Sequence, residues 1–386
     1  MKIFTRRWIT LSICICLLLL LPGCWDYESI ATRASLIGIG IDPAGDDPQQ
    51  VQVTVQFPIL MPGGDGGMSS GSGDSSAKNN NKTLSTEAYS ISEAMKQLQL
   101  KVDRQIDTAQ LQAIVFSSKL SSDMMNSVVG QLIRLPKMNR LANVFTTPES
   151  AKDVLATTGT DAAPMDFLDK SMTYRQQGFA IRRQLWEYWR DATQVGVVPV
   201  LPMVEPVQSE DKSEGALMLG GITVYLNNQA AFTLSRQETF YVNLLRGKVR
   251  SMAVDAPIHE GIVSLTDVRS NNRLRCIGEG KNVLLVDRVS VRATLGKLVD
   301  PSPKPLPPSN LNKIESETSE YLTQQLTSTL KKLQQQKADI CGFGGIYFQH
   351  HPDEEQRMKE QWGQMFQHAK IDIQVNVVIV SRGMLI

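Results

Sequence analysis

Apolar and polar residues alternate over residues 51–57, where Val51, Val53, Val55 and Phe57 are separated by Gln52, Thr54 and Gln56. This period of two marks a half-buried strand. Residues 91–100 read as a helix and 111–116 as a strand, while 132–144 reads as a helix end running through Pro136 into a strand. Two further helices are predicted at 149–155 and 179–189, and strands at 222–226, 261–268 and 283–291. The clearest helix is 311–337: Leu311, Ile314, Thr318, Leu322, Leu326, Leu330 and Leu333 follow steps of three and four in one stripe. Glu315, Glu317 and Glu320 lie toward its start and Lys331, Lys332 and Lys337 toward its end, an order that favours the helix dipole. The stripe is most simply a face laid on a sheet, with a partner-binding helix as the other reading. The chain then closes on a strand in which Ile371, Ile373, Val375, Val377 and Ile379 alternate with Asp372, Gln374 and Asn376. The class is α+β: several domains, mixed and largely antiparallel sheets with packed helices, and a long helix near the C-terminus followed by a terminal strand.

Three stretches interrupt this pattern. Residues 61–82 are rich in Gly, Ser and Asn with almost no apolar content. Such a segment cannot bury enough surface to offset its ordering entropy, so a mobile loop is expected. Residues 201–215 hold Pro202, Pro206 and a charged run, and read as an interdomain connection. Pro301, Pro303, Pro305, Pro307 and Pro308 form a stiff spacer entering the long helix. The expected division is a leader at 1–23, an N-terminal domain at 24–200, a linker at 201–215 and a C-terminal domain at 216–386.

The leader is legible from charge and length. Lys2, Arg6 and Arg7 precede an apolar run at 9–21 of about thirteen residues, short of the roughly 20 that span a bilayer core and suited to a signal peptide. It ends in Leu21-Pro22-Gly23-Cys24, which resembles the lipobox of bacterial lipoprotein precursors. In that motif the cysteine thiol takes a diacylglycerol and becomes the new N-terminus. Cys24 is therefore the expected lipidation site, and the body is expected on the outer face of the membrane.

Composition narrows the chemistry. Forty Lys and Arg against 39 Asp and Glu give a net charge of +1 with no long basic stretch, which argues against a nucleic-acid partner. Of five cysteines, Cys14 and Cys16 leave with the leader and Cys24 is acylated, so Cys276 and Cys341 remain. An exported compartment permits a bond between them; two separate buried thiols satisfy the spacing equally well. His350-His351-Pro352-Asp353-Glu354 invites a metal reading, but adjacent loop residues rarely aim at one ion and no further ligand stands at the right spacing. Ser75 to Lys78 formally matches a penicillin-recognising nucleophile motif, inside a segment that cannot position it. Gly38 and Gly40 lack the third glycine of a dinucleotide fingerprint and suggest a bend in a strand. No cofactor, metal site or catalytic constellation is expected.

The more specific signal lies at the two ends. Gly23-Cys24-Trp25-Asp26 is followed closely by Ile37-Gly38-Ile39-Gly40-Ile41-Asp42. Ala338-Asp339-Ile340-Cys341-Gly342-Phe343-Gly344 follows the long helix, then Trp362 and Phe366 one turn apart, then the terminal strand ending near Arg382-Gly383. In these motifs and their order the chain resembles the Ger(x)C family, the lipoprotein C subunits of spore germinant receptors. The resemblance implies a non-catalytic, lipid-anchored subunit working with integral membrane A and B subunits in nutrient-triggered germination, on the outer surface of the spore inner membrane. The alternative is a lipid-anchored solute-binding protein of a transporter, which needs two similar lobes; no βαβ succession supporting them is read from the sequence. An envelope hydrolase would need the catalytic constellation that is not found.

Overall fold

The computed structural model describes residues 8, 32–45, 47–58, 81–157, 163–174, 178–208, 215–259, 261–278, 280, 282–299, 311–358 and 361–381. In chain order the first half comprises β1 (Arg33–Ser35), β2 (Gly38–Pro43), β3 (Val51–Pro58), β4 (Asn81–Ala88), α1 (Ile91–Gln99), β5 (Gln105–Asp107) and β6 (Ala113–Ser117). It continues with α2 (Ser122–Arg134), β7 (Asn143–Thr147), α3 (Ala151–Ala156), α4 (Pro164–Tyr174), α5 (Leu185–Thr193) and β8 (Val200–Gln208). The second half comprises β9 (Gly215–Leu226), β10 (Gln229–Leu234), α6 (Arg236–Leu245), β11 (Met252–Ile258), β12 (Gly261–Ile277) and β13 (Leu284–Val299). After these come α7 (Leu311–Gln335), α8 (Phe343–His350), the single turn α9 (Glu355–Met358), α10 (Trp362–His368) and β14 (Lys370–Ser381).

An eight-stranded sheet has the order β10-β9-β8-β7-β6-β2-β3-β4. Its middle is parallel, from β2 through β6 and β7 to β8, and its two flanks are antiparallel. The β6-α2-β7 crossover is a βαβ unit that the sequence reading did not resolve. Side chains leave a strand on alternate faces, and both faces here are covered. Ile114 and Phe116 join one core with Met125, Val128 and Leu132 of α2, Ile91 and Leu98 of α1 and Tyr188 of α5. Ala113 and Val115 join another with Val154 and Leu155 of α3 and Met165 and Leu168 of α4. Gly38 and Gly40 belong to this second packing and not to a bend. A Cβ on Gly38 would stand 2.0 Å from Met165 Cγ, and one on Gly40 3.0 Å from Leu155 Cδ1, so their absence lets α4 and α3 lie close on β2.

Residues 201–208, expected in a connection, instead form most of β8, with Leu201 and Val204 fully buried. Pro202 and Pro206 are tolerated because β8 meets β7 at one residue pair only, Thr146 with Met203, leaving that side of the strand with little ladder to interrupt. The sheet also runs past the expected boundary: β9 and β10 belong to it, and Val200, Ile222 and Val224 contribute to the core of the second half. The glycine- and serine-rich stretch lies outside the described residues up to 80; Asn81 and Lys82 already pair in β4 with Pro58 and Phe57. The proline-rich spacer also lies outside them.

The second half centres on a four-stranded sheet, β11-β12-β13-β14, with β14 parallel to β13. Strands β12 and β13 run well beyond their alternating segments, through residues such as Asn271 and Asn272 on β12 that keep the ladder without an apolar pattern. The stripe on α7 is laid on this sheet as expected: Leu322, Leu326, Leu330 and Leu333 share one core with Ile373, Val375 and Val377. A second contact was not foreseen. Glu315, Ser319 and Thr323, spaced by four along α7, accept hydrogen bonds from the backbone N–H groups of Ile379 (2.7 Å), Val377 (3.0 Å) and Val375 (3.2 Å). Helical spacing thus matches every second residue of the strand, and the helix occupies the edge that β14 would otherwise offer to another chain.

Candidate functional site

Cys24, the expected lipidation site, and the Ser75/Lys78 pair lie outside the described residues. Gly23, Trp25, Asp26, Arg382 and Gly383 also lie outside them, and the signature residues within the described chain converge on two buried carboxylates. Asp42 ends the Ile37-to-Asp42 segment on β2 and is 5 % exposed. It accepts from the N–H groups of Ala151 (2.7 Å) and Lys152 (3.0 Å) and from the Ser150 hydroxyl (3.2 Å). It therefore caps α3, whose own N-cap Ser150 makes no side-chain cap bond, and pins that helix to the sheet. Burial pushes its carboxyl up from the ordinary range, with the three donors pulling the other way.

Asp339 is the larger centre. It is fully buried, and its Oδ1 accepts from the N–H groups of Cys341 (3.2 Å), Gly342 (2.9 Å) and Phe343 (3.3 Å). Its Oδ2 accepts from Gly344 N–H (2.6 Å) and Trp362 Nε1 (3.1 Å). One side chain thereby satisfies the first turn of α8 and anchors α10. Gly342, at φ 92°, holds the left-handed conformation that opens α8. A Cβ on Gly344 would lie 2.3 Å from the Gly196 carbonyl oxygen and 2.6 Å from Trp362 Nε1, so this glycine permits direct contact with the segment leading into β8. Val198 N–H closes the joint on the Asp339 carbonyl at 3.0 Å. Trp362 and Phe366 lie in the core among Phe343, Tyr347 and Phe348. The Ala338-to-Gly344 motif is therefore a backbone cradle around one carboxylate, with Trp362 as its fifth donor.

The other candidates do not assemble a reactive centre. His351 stacks on Tyr347 with ring centroids 4.6 Å apart, and the Tyr347 hydroxyl donates to Glu354 at 2.7 Å. Among the described residues no group of three His, Cys, Asp or Glu side chains could hold a metal ion. Cys276 and Cys341 are both free thiols, Cys341 buried and Cys276 half-buried. Burial pushes Cys276 up to about 12 and Cys341 also well above its ordinary value, so neither is a nucleophilic thiolate near neutrality.

A cavity that the sequence did not disclose lies between the two halves, with a volume of about 290 Å³. Its charged lining is Arg182, Arg183, Arg246 and Lys248 with Glu187. A helix was expected over 179–189, but Gln184 and Glu187 form a capping box that starts α5 at Leu185. The preceding residues are extended instead: Arg183 carbonyl accepts from Val144 N–H at 2.8 Å beside β7, which places Arg182 and Arg183 on the cavity wall. Arg246 and Lys248 come from the end of α6. The capping box was the available signal in the sequence; the meeting of the two basic pairs depends on tertiary packing.

Sequence models of two germination domains match the chain. The spore germination protein N-terminal domain covers residues 26–206, and the spore germination B3/GerAC-like C-terminal domain covers 220–383. Spore germination protein KC of Bacillus subtilis (strain 168) is 22% identical over 388 residues, spanning 95% of this chain and 93% of that protein. Spore germination protein A3 of the same organism is 23% identical over 379 residues, spanning 95% of both chains. The crystal structure of the GerBC protein matches with a TM-score of 0.53 at 17% identity, covering 89% of this chain and 97% of that one, which establishes a shared fold.

Proposed function

The chain belongs to the Ger(x)C family of spore germination proteins, and from that premise we propose that it is the non-catalytic, lipid-anchored subunit of a nutrient germinant receptor. Cys24 carries the lipid, the body sits on the outer face of the spore inner membrane, and integral membrane A and B subunits are its partners. It takes part in assembly or signalling at the receptor rather than in bond-making chemistry. The observation that carries this reading is the use made of the family signature: Asp42 caps α3, while Asp339 and Trp362 tie α8 to α10, so these polar groups are committed to holding the body rigid.

The anchor is supported by the Leu21-to-Cys24 motif and by the number of acyl chains that it supplies. Among the described residues no helix is long and apolar enough to cross a membrane. A diacyl anchor supplies two chains, the number that stable attachment requires. The solute-binding alternative needs two similar lobes. Here the halves differ, an eight-stranded sheet covered on both faces against a four-stranded sheet that shares one core with α6, α7, α8 and α10. Metabolic labelling with a fatty acid tests the anchor: wild type should be labelled and fractionate with membranes, and Cys24→Ser should do neither. Equal labelling of the two would refute it.

A further inference from the structure

The cavity lining carries four cations, Arg182, Arg183, Arg246 and Lys248, against one carboxylate, Glu187. Arg183 is buried and pairs with Asp191 at 3.3 Å, and Asp191 also takes Arg190 at 2.6 Å. Glu187, the one carboxylate in the lining, accepts from Gln184 N–H at 2.9 Å in its capping box. Arg182 donates its Nε to Asn143 Oδ1 at 2.9 Å. Arg246 is different. It lines the cavity, yet among the described residues its guanidinium makes no ion pair or hydrogen bond. Its side chain is half-buried at the cavity wall, with protein packed closely around it. This desolvation, together with the nearby Arg183 charge, lowers its pKa to about 10, so it remains a cation at neutral pH. Asp191 and Glu187 offset part of this cost from a distance, but neither pairs directly with the Arg246 guanidinium.

We propose that this cavity binds a small oxyanion, a carboxylate or phosphate group, between Arg246, Arg183 and the outer cations Arg182 and Lys248. Guanidinium forks match the paired oxygens of both groups. The Ser171 hydroxyl and the Asn243 side chain also line the space. Asn243 donates to the carbonyls of Gly178 (2.9 Å) and Ala180 (3.0 Å), fixing the cavity wall whether or not a ligand is present. The volume lies at the lower limit of ligand cavities, about 300 Å³, and suits a small organic acid, a phosphate or a phosphate-bearing headgroup. Because α4 and Arg182–Arg183 belong to one half and Arg246 and Lys248 to the other, occupancy would couple the two halves.

The detergent-solubilised full-length chain should be titrated with inorganic phosphate and with citrate against chloride of equal ionic strength, following melting temperature and calorimetric heat. A parallel arm uses phosphatidylglycerol vesicles, to separate a free anion from a lipid headgroup. Wild type should be stabilised by the oxyanion beyond the chloride control. Arg246→Met should weaken binding about tenfold or more, the usual scale for losing a charged hydrogen bond, without lowering the melting temperature in chloride. Lys248→Met, at an exposed position, should weaken it about threefold, as expected of a partly screened charge. A response to vesicles alone that Arg246→Met removes would identify a headgroup as the source of the anion. No oxyanion-specific effect in any arm, or one undiminished in Arg246→Met, would overturn the proposal. Should that variant fail to fold, unchanged binding in Lys248→Met would do the same.

Discussion

Replacing Asp339 by Asn keeps the shape of the side chain and removes one of its two acceptors. Oδ1 can still receive Cys341, Gly342 and Phe343, but the new amide nitrogen faces Gly344 N–H and Trp362 Nε1, two donors that lose their partner in a fully buried setting. A buried donor left unsatisfied costs about 1–3 kcal/mol, so Asp339→Asn should lose roughly 2–6 kcal/mol. A chain of this size has only about 5–15 kcal/mol to lose. The assay is urea unfolding of wild type and variant, followed by far-UV circular dichroism and by tryptophan emission, with the variant midpoint well below wild type. Trp362→Phe made in both backgrounds isolates the indole bond, and its effect should be smaller when Asn already stands at 339. A loss under about 1 kcal/mol for Asp339→Asn would refute the cradle as a stabilising device and reopen a reactive role for the carboxylate.

Two further outcomes follow from buried groups. Asp287 on β13 is fully buried, neither carboxyl oxygen has a well-formed hydrogen bond among the described residues, and burial raises its pKa from 3.8 to about 7. Its folded pKa lies above the unfolded one, so its contribution is fully present below about pH 4 and is lost as pH rises toward 7. That loss is about 4 kcal/mol at 1.36 kcal/mol per unit. Stability of wild type minus Asp287→Asn, measured at several pH values from 4 to 8, should fall across this window; a flat difference would mean the carboxyl is solvated. Gly344→Ala places a Cβ 2.3 Å from the Gly196 carbonyl oxygen and should cost about 1–3 kcal/mol, read as a drop of several degrees in melting temperature, whereas an unchanged melting temperature would show that the joint yields easily.

Legibility divided along physical lines. Helix α7 and strand β14 were plain because each carries an unbroken apolar period, and both lie where the pattern put them. Strand β8 was hidden because Pro202 and Pro206 signal a break, and only the nearly ladder-free side facing β7 makes them tolerable. Strand β4 carries mostly polar residues on an edge of the sheet and has no period to detect. The β6-α2-β7 crossover was missed as a unit, although a strand near β6 and the end of α2 were both read, because parallel pairing is decided between residues far apart in sequence. Among the site residues, Asp42, Asp339 and Trp362 were marked by motif, but their roles as caps needed the geometry. Arg182, Arg183, Arg246 and Lys248 carried no local mark at all, since the cavity exists only where the two halves meet.

The receptor role itself is decided in spores of a strain that carries this chain as its sole receptor C subunit. Loss of refractility should be followed after a nutrient pulse and, separately, after a cationic surfactant that bypasses nutrient receptors. Spores lacking the chain should fail to respond to the nutrient and respond to the surfactant as wild type does. A normal nutrient response in its absence, or an equal defect with the surfactant, would contradict a role at the receptor.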